Sequence, residues 1–98
     1  MSIEKDTLSP AQREDLRMVT LGYLAARNTG AFPLDMIAQT LRRRRAVDFI
    51  FTDQDVDSAL VFLSGKEWAK VQFSGFGAGS AWQVTSAGVL EAERRGLC

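Results

Sequence analysis

A pair of short strand-like segments, separated by a glycine-rich stretch, constrains the fold of this chain more than any other feature. Residues 68–73 and 81–84 concentrate aromatic and β-branched side chains, and each has the length of a short strand. Residues 74–80 contain three glycines, so they predict the tip of a β-hairpin rather than a strand or a helix. Thr85 then caps a helix that runs to about Arg95. The sequence therefore predicts a hairpin followed directly by a helix.

The spacing of side chains within the hairpin predicts which of them are buried. In the second strand Trp82 and Val84 share one face, while Gln83 points away from it. Trp68 and Trp82 are placed to pair across the hairpin, because aromatic cross-strand pairs stabilise sheets. A structural role is thus the expectation for both tryptophans.

Three amphipathic helices are predicted before the hairpin, at about residues 10–28, 34–45 and 53–65. Ser9 and Thr52 are suitable N-caps for the first and third, and Gly65 is a suitable stop for the third. The predicted inward stripes are Leu16, Val19, Thr20, Tyr23 and Leu24 in helix 1, Ile37, Ala38 and Leu41 in helix 2, Val56, Ala59, Leu60 and Leu63 in helix 3, and Val89, Leu90 and Ala92 in helix 4.

The length and charge of the chain limit what it can be. Its 98 residues are enough for one small domain, predicted over residues 9–98 after a flexible tail at residues 1–8. The expected class is α+β and mostly α. Twelve basic and twelve acidic residues give a net charge of zero, so any basic surface must be local.

Several kinds of site are disfavoured by the composition. The chain has no histidine, and Cys98 is its one cysteine, which excludes disulfide frameworks, Cys/His zinc sites and His-dependent nucleophile pairs. Asp53, Asp55 and Asp57 would splay around a helix, and the helix dipole explains them better than a metal does. We expect no enzymatic activity, no cofactor and no metal. With no signal peptide and no membrane-spanning apolar run, we expect a cytoplasmic protein without membrane contact.

The order of helix, short extended segment, two helices, hairpin and final helix resembles the winged-helix (winged helix-turn-helix) superfamily across about residues 9–96. The segment 82–88 looks like the aromatic-x-aliphatic-Thr-x-x-Gly signature that closes the wing in many bacterial winged-helix regulators. There the aromatic packs under the wing, the threonine caps, and the glycine allows close approach of the helix. The resemblance implies a single winged-helix domain: a three-helix core, a β-hairpin wing and a C-terminal helix.

The whole chain is also similar to small winged-helix proteins of Mu-like prophages. The similar features are the leucine-rich first helix and the segments 41–45, 51–56, 87–90 and 93–95. This resemblance implies a phage-derived protein without an assigned biochemical activity.

The superfamily resemblance implies a small non-enzymatic regulator that binds double-stranded DNA, with helix 3 as its recognition helix. A second copy of the chain, joined through helix 1 and helix 4, is a further candidate partner. Two features depart from DNA-binding relatives: helix 3 starts with three aspartates, and the wing tip has no lysine or arginine. The alternative is therefore a protein-interaction module without DNA binding, with Phe49–Phe51 and Phe76 as its contacts.

Eight residues are candidates for DNA contact, each with an alternative. The arginine run at 42–45 would neutralise phosphates, or else form a solvated helix end that pairs with Asp48, Asp53 or Asp55. Two polar residues of helix 3 would read base edges, or else be ordinary surface residues. Two lysines at the corner between helix 3 and the first strand would contact phosphates, or else be plain surface. The candidates are Arg42, Arg43, Arg44, Arg45, Gln54, Ser58, Lys66 and Lys70.

Overall fold

The computed structural model describes residues 8–73 and 80–97, and this part of the chain contains four helices and two strands. The elements are α1 (Pro10–Ala26), α2 (Leu34–Arg43), α3 (Asp53–Gly65), β1 (Ala69–Phe73), β2 (Ser80–Val84) and α4 (Ser86–Arg94). This order confirms the predicted α+β, mostly helical class and the winged-helix fold. The first two helices each end two residues before their predicted ends.

Side-chain caps set the starts of three helices, as predicted. The Ser9 hydroxyl accepts a hydrogen bond from the Gln12 backbone N–H at 3.1 Å, and the Gln12 side chain accepts one from the Ser9 N–H at 3.0 Å. Thr52 and Asp55 form the same reciprocal box at the start of α3. Thr85 accepts from the N–H three residues later at 3.0 Å. Each cap satisfies backbone donors that the first helical turn leaves free.

The ends of α2, α3 and α4 share one geometry, in which a residue just past the helix adopts a left-handed conformation. That residue is Arg45 (φ 52°) after α2, Glu67 (φ 65°) after α3 and Gly96 (φ 73°) after α4. In each case the next residue donates its N–H back to a carbonyl in the last helical turn, at 2.8–3.1 Å. Helix α3 ends at Gly65 as predicted, but Glu67 adopts the conformation that usually favours glycine.

The core lies between α1, α2, α3 and the inner face of the hairpin. All four predicted inward residues of α3 and all three of α2 are buried. In α1 the predicted stripe is buried except for the half-buried Val19, and Leu21 and Ala25 are buried in addition.

In α4 the inward position assigned to Leu90 is wrong, because its side chain is 66% exposed. The buried face of α4 consists of Gly88, Glu91 and Ala92, and Leu90 lies about 200° around the helix from Gly88.

The hairpin register rules out the predicted tryptophan pair. Trp82 faces Val71 across the antiparallel ladder, while Trp68 precedes β1 and its carbonyl oxygen accepts the Thr85 N–H at 3.0 Å. Trp82 also exchanges two backbone hydrogen bonds with Phe32, at 2.8 and 2.9 Å. The extended segment between α1 and α2 is thereby joined to the outer side of β2.

The final helix is held close to the chain that precedes it. A Cβ added at Gly88 would lie 2.1 Å from the Trp68 carbonyl oxygen and 2.7 Å from Val84 Cγ2. The Thr85 hydroxyl, besides capping α4, donates to the Glu67 carbonyl oxygen at 2.6 Å. The predicted role of the glycine, to permit close approach of the helix, is confirmed.

The buried carboxylate of Glu91 forms ion pairs with two arginines at the end of α4. Glu91 accepts hydrogen bonds from Arg94, at 2.5 and 2.7 Å, and from Arg95. These hydrogen bonds and the positive charges of the two arginines hold the pKa of Glu91 below its ordinary value, against the opposing effect of burial. The same interactions raise the pKa of Arg94.

Leu8 is buried in the core, so the described part of the domain begins before the first helix. The predicted contact Phe76, the uncharged wing tip and Cys98 lie outside the described residues. No helix in the described ranges is long and apolar enough to cross a membrane.

Candidate nucleic-acid interface

The outer face of α3 is exposed, and the one carboxylate of this helix that is not part of the helix cap or the Arg42 ion pair is Asp57, four residues before Val61. Gln54, Ser58, Val61 and Gly65 are all exposed, and their spacing of four, three and four residues places them along one side of the helix. We call these four residues the α3 face. The opposite side of the helix carries the buried stripe. The two predicted base-reading residues, Gln54 and Ser58, thus lie together one turn apart.

Two of the three aspartates at the start of α3 have partners within the chain. Asp53 forms an ion pair with Arg42, with Oδ1 and Nη2 2.6 Å apart. The Asp55 carboxylate accepts the Thr52 backbone N–H at 2.9 Å and completes the capping box. The acidic start therefore repels a phosphate backbone less than three free carboxylates would.

The arginine run divides because α2 ends within it. Arg42 reaches the start of α3, with its guanidinium 5.1 Å from the ring centre of Phe51. Arg44 lines a groove with Met18 and Gly22 of α1, and Arg45 lines a neighbouring one. In the described part of the chain only Arg42 of the four forms an ion pair. One of the ion pairs that the alternative interpretation predicts, between Arg42 and Asp53, is thus present, while DNA contact by the run stays a prediction.

Two arginines of α1 that are not among the eight predicted contacts lie beside the α3 face. Arg13 and Arg17 line a shallow depression together with Ser58. The Arg17 guanidinium lies 3.8 Å from the ring centre of Phe62, which fixes it against α3. The available signal was the spacing of four residues, which puts both arginines on one flank of α1. Which helix that flank faces depends on the tertiary fold.

The predicted lysines occupy different places. Lys66 caps the end of α3, and its ammonium lies 5.7 Å from the centre of the Phe62 ring, on which Arg17 also packs. Lys70 is exposed on β1, opposite Gln83 of β2. Lys66 therefore borders the α3 face, while Lys70 extends positive charge onto the hairpin.

Four cations surround the α3 face, and we call them the cation rim. On the α1 side, Glu14 lies 3.8 Å from one rim arginine and offsets part of its charge. On the α2 side, the rim arginine is Arg42, which is paired with Asp53. The rim therefore offers positive charge to a phosphate backbone mainly on the α1 side, because on the α2 side Arg42 is offset by Asp53. The rim consists of Arg13, Arg17, Arg42 and Lys66.

The apolar segment between α2 and α3 is only partly available for contact. Phe51 is buried and Phe49 is half-buried, whereas Ile50 is 92% exposed. Of the alternative protein-contact segment, Ile50 is thus the residue that offers most surface. Among residues 8–73 and 80–97, no group of three carboxylate, thiol or imidazole side chains is arranged to hold a metal ion.

Solved structures of other proteins share the fold of this chain. Neither a protein-family model nor a curated protein sequence matches the chain. A variant of ZitR from Lactococcus lactis superposes with a TM-score of 0.64 at 18% identity, covering 98% of this chain and 56% of that one. A variant of MepR from a multidrug-resistant S. aureus clinical isolate superposes with a TM-score of 0.66 at 21% identity, covering 86% of this chain and 57% of that one.

A transcriptional regulator from Clostridium thermocellum superposes with a TM-score of 0.68 at 14% identity, covering 91% of this chain and 84% of the regulator. Identities this low show a common fold and nothing further. The chain spans just over half the length of the ZitR and MepR chains. The similarity to Mu-like prophage proteins stays a prediction.

Proposed function

We propose that this chain is a DNA-binding winged-helix protein of transcription regulation, which inserts α3 into the major groove. The observation that carries the proposal is the combination of the α3 face with the cation rim around it. Polar and small side chains face the bases, while the cations stand where the two phosphate backbones would pass. The similarity to a structure described as a transcriptional regulator supports the proposal.

The four rim cations set the expected salt dependence. Each phosphate neutralised on B-DNA contributes about 0.9 to the slope of log affinity against log salt, so four give an upper limit of about 3.6, which the pairing of Arg42 with Asp53 and of Arg17 with Glu14 lowers. Affinity should then fall by at most roughly a hundred-fold between 50 and 200 mM salt. Because the net charge of the chain is zero, this local rim is the expected source of the attraction.

The test is fluorescence anisotropy of a labelled random-sequence duplex, titrated with protein at several salt concentrations. Arg42→Ala should weaken binding and lower the salt slope by up to about 1, because one phosphate contact is lost and the Asp53 carboxylate loses its ion-pair partner. Arg44→Ala is the matched control: it removes the same charge two residues away, from a side chain that lines the groove along α1. Equal effects of the two variants would refute the assignment of the phosphate contact to Arg42 rather than Arg44. The absence of binding at low salt by folded protein would refute the proposed function.

A homodimer would add affinity that one weakly charged module lacks. Joined through α1 and α4, two copies would present two α3 helices to half-sites about 34 Å apart. Leu90, exposed on α4, is an apolar side chain that such a contact would cover. The proposed DNA-binding form is therefore a dimer of this kind.

The second candidate function is a protein-interaction module, and the exposure of Ile50 is the observation that favours it. An isolated, almost fully exposed isoleucine next to a half-buried phenylalanine offers an anchor for a partner protein. In the anisotropy experiment this function corresponds to a folded protein that binds no duplex at any salt concentration.

A further inference from the structure

Val61 is an exposed aliphatic side chain in the middle of the α3 face. Its side chain is 56% exposed, although α3 has a complete buried stripe on its other side. It follows Ser58 by three residues and Gln54 by seven, so it lies about 10 Å along the helix axis from Gln54. Any duplex that seats this helix in its major groove would meet Val61 together with these two polar side chains.

The chemistry of the α3 face favours particular base pairs. The major-groove edge of a T·A pair carries the 5-methyl group of thymine, which apolar side chains contact. A valine in a helix is held in one strongly preferred rotamer, so its two methyl groups have a defined direction. Gln54 matches the donor–acceptor pair of adenine, whereas arginine and lysine, the usual partners of guanine, are missing from the four residues of this face.

We propose that Val61 is a specificity-determining residue, which contacts the 5-methyl group of a thymine in the bound duplex. The inference rests on the proposed DNA-binding function and adds the class of site that the protein selects. The cation rim makes DNA the occupant that fits this surface, because Arg13, Arg17 and Lys66 complement the charge of a phosphate backbone along one side of the groove. The expected site therefore contains T·A pairs opposite the middle of α3.

The experiment starts with selection of bound duplexes from a random-sequence library by the purified protein. The selected duplex is then synthesised with deoxyuridine in place of thymine, one position at a time, which removes a methyl group and leaves the base pair intact. Because burial of one such group is worth about a four-fold change in affinity, the wild type should bind at least one of these duplexes about four-fold more weakly.

The variant Val61→Ala connects this effect to the residue. It should bind the thymine and deoxyuridine duplexes equally at that position, with the salt slope of the wild type, because the cation rim is intact. Alanine is the better helix former and Val61 is outside the core, so the variant should fold, as thermal unfolding will show. Val61→Thr, which keeps the branched shape and one methyl group, should retain part of the thymine preference.

The outcomes separate this inference from the proposed function. If folded wild-type protein binds no duplex, both the DNA-binding function and the role of Val61 are overturned. If it binds but no deoxyuridine substitution matters, or if Val61→Ala keeps the same thymine preference, only the role of Val61 is overturned. A thymine preference that disappears in Val61→Ala at one position supports the inference.

Discussion

Replacement of Arg45 by glycine should stabilise the protein. Arg45 is the residue that follows α2 in a left-handed conformation, at φ 52°. Its own N–H donates to the Arg42 carbonyl oxygen and the Ala46 N–H donates to the Leu41 carbonyl oxygen, both at 3.1 Å. The backbone there is fixed by these two hydrogen bonds, so the side chain must accept a conformation that Cβ disfavours.

The expected gain is the difference between two opposing contributions. A residue with a Cβ loses about 1–2 kcal/mol in the left-handed region, and glycine does not. Glycine, however, gives up more backbone freedom on folding, which costs about 0.4–1 kcal/mol. Arg45 is exposed and forms no ion pair with the described residues, so loss of its side chain adds little. The net stabilisation is about 0.5–1 kcal/mol, or a rise in Tm of roughly 2–8 °C for a domain of this size.

Thermal unfolding followed by far-ultraviolet circular dichroism measures this directly. Arg45→Ala is the matched control, because it removes the same charge but keeps the Cβ atom, and it should not stabilise. Glu67→Gly should shift the Tm in the same direction as Arg45→Gly, since Glu67 occupies the equivalent place after α3. If Arg45→Gly melts at or below the temperature of Arg45→Ala, the assignment of backbone strain to this residue is wrong.

Two further predictions concern α4. Gly88→Ala should lower the free energy of unfolding by about 2–3 kcal/mol or more, because the new Cβ would lie 2.1 Å from the Trp68 carbonyl oxygen. Chemical denaturation measures this, and a stability equal to that of the wild type would contradict the prediction. The pKa of Glu91 in the folded state lies below its ordinary value of 4.5. The ionised carboxylate therefore stabilises the fold fully at pH values above 4.5, and this stabilisation is lost as the pH falls through the lower folded-state pKa. Denaturation between pH 7 and pH 3 should show a smaller acid-induced loss for Glu91→Gln than for the wild type. Equal losses would show that the contacts with Arg94 and Arg95 do not govern acid stability.

The features of the fold that could be predicted from the sequence are those set by near neighbours in the chain. The caps at Ser9, Thr52 and Thr85 each depend on a residue three positions away, and all three are confirmed. The buried stripe of α3 follows from helical periodicity, and it too was predicted completely. Leu90 was misassigned because the buried positions of α4 hold Gly88, Glu91 and Ala92 rather than large apolar side chains, so the large apolar residues do not mark its inner face.

The composition of the candidate interface depends on tertiary structure and could be predicted only in part. Gln54 and Ser58 share a face by helical geometry, which the sequence contains. The division of the arginine run depends on the residue at which α2 ends, and the link to α3 then determines which arginine meets Asp53. The approach of Arg13 and Arg17 to α3 depends on the packing of α1 against that helix, which sequence spacing does not specify.

The three aspartates at the start of α3 are the feature of the sequence that most disfavours DNA binding, and their contacts in the structure reduce their repulsion of phosphates. A carboxylate that accepts a capping hydrogen bond, or that pairs with an arginine, presents less negative potential to a phosphate than an isolated one. Asp53 and Asp55 are both engaged in this way, and the arginine that pairs with Asp53 belongs to the cation rim. The aspartates therefore repel DNA less than three isolated carboxylates would, but the ion pair lowers the positive charge that Arg42 offers to a phosphate by the same amount, so the attraction rests mainly on Arg13, Arg17 and Lys66.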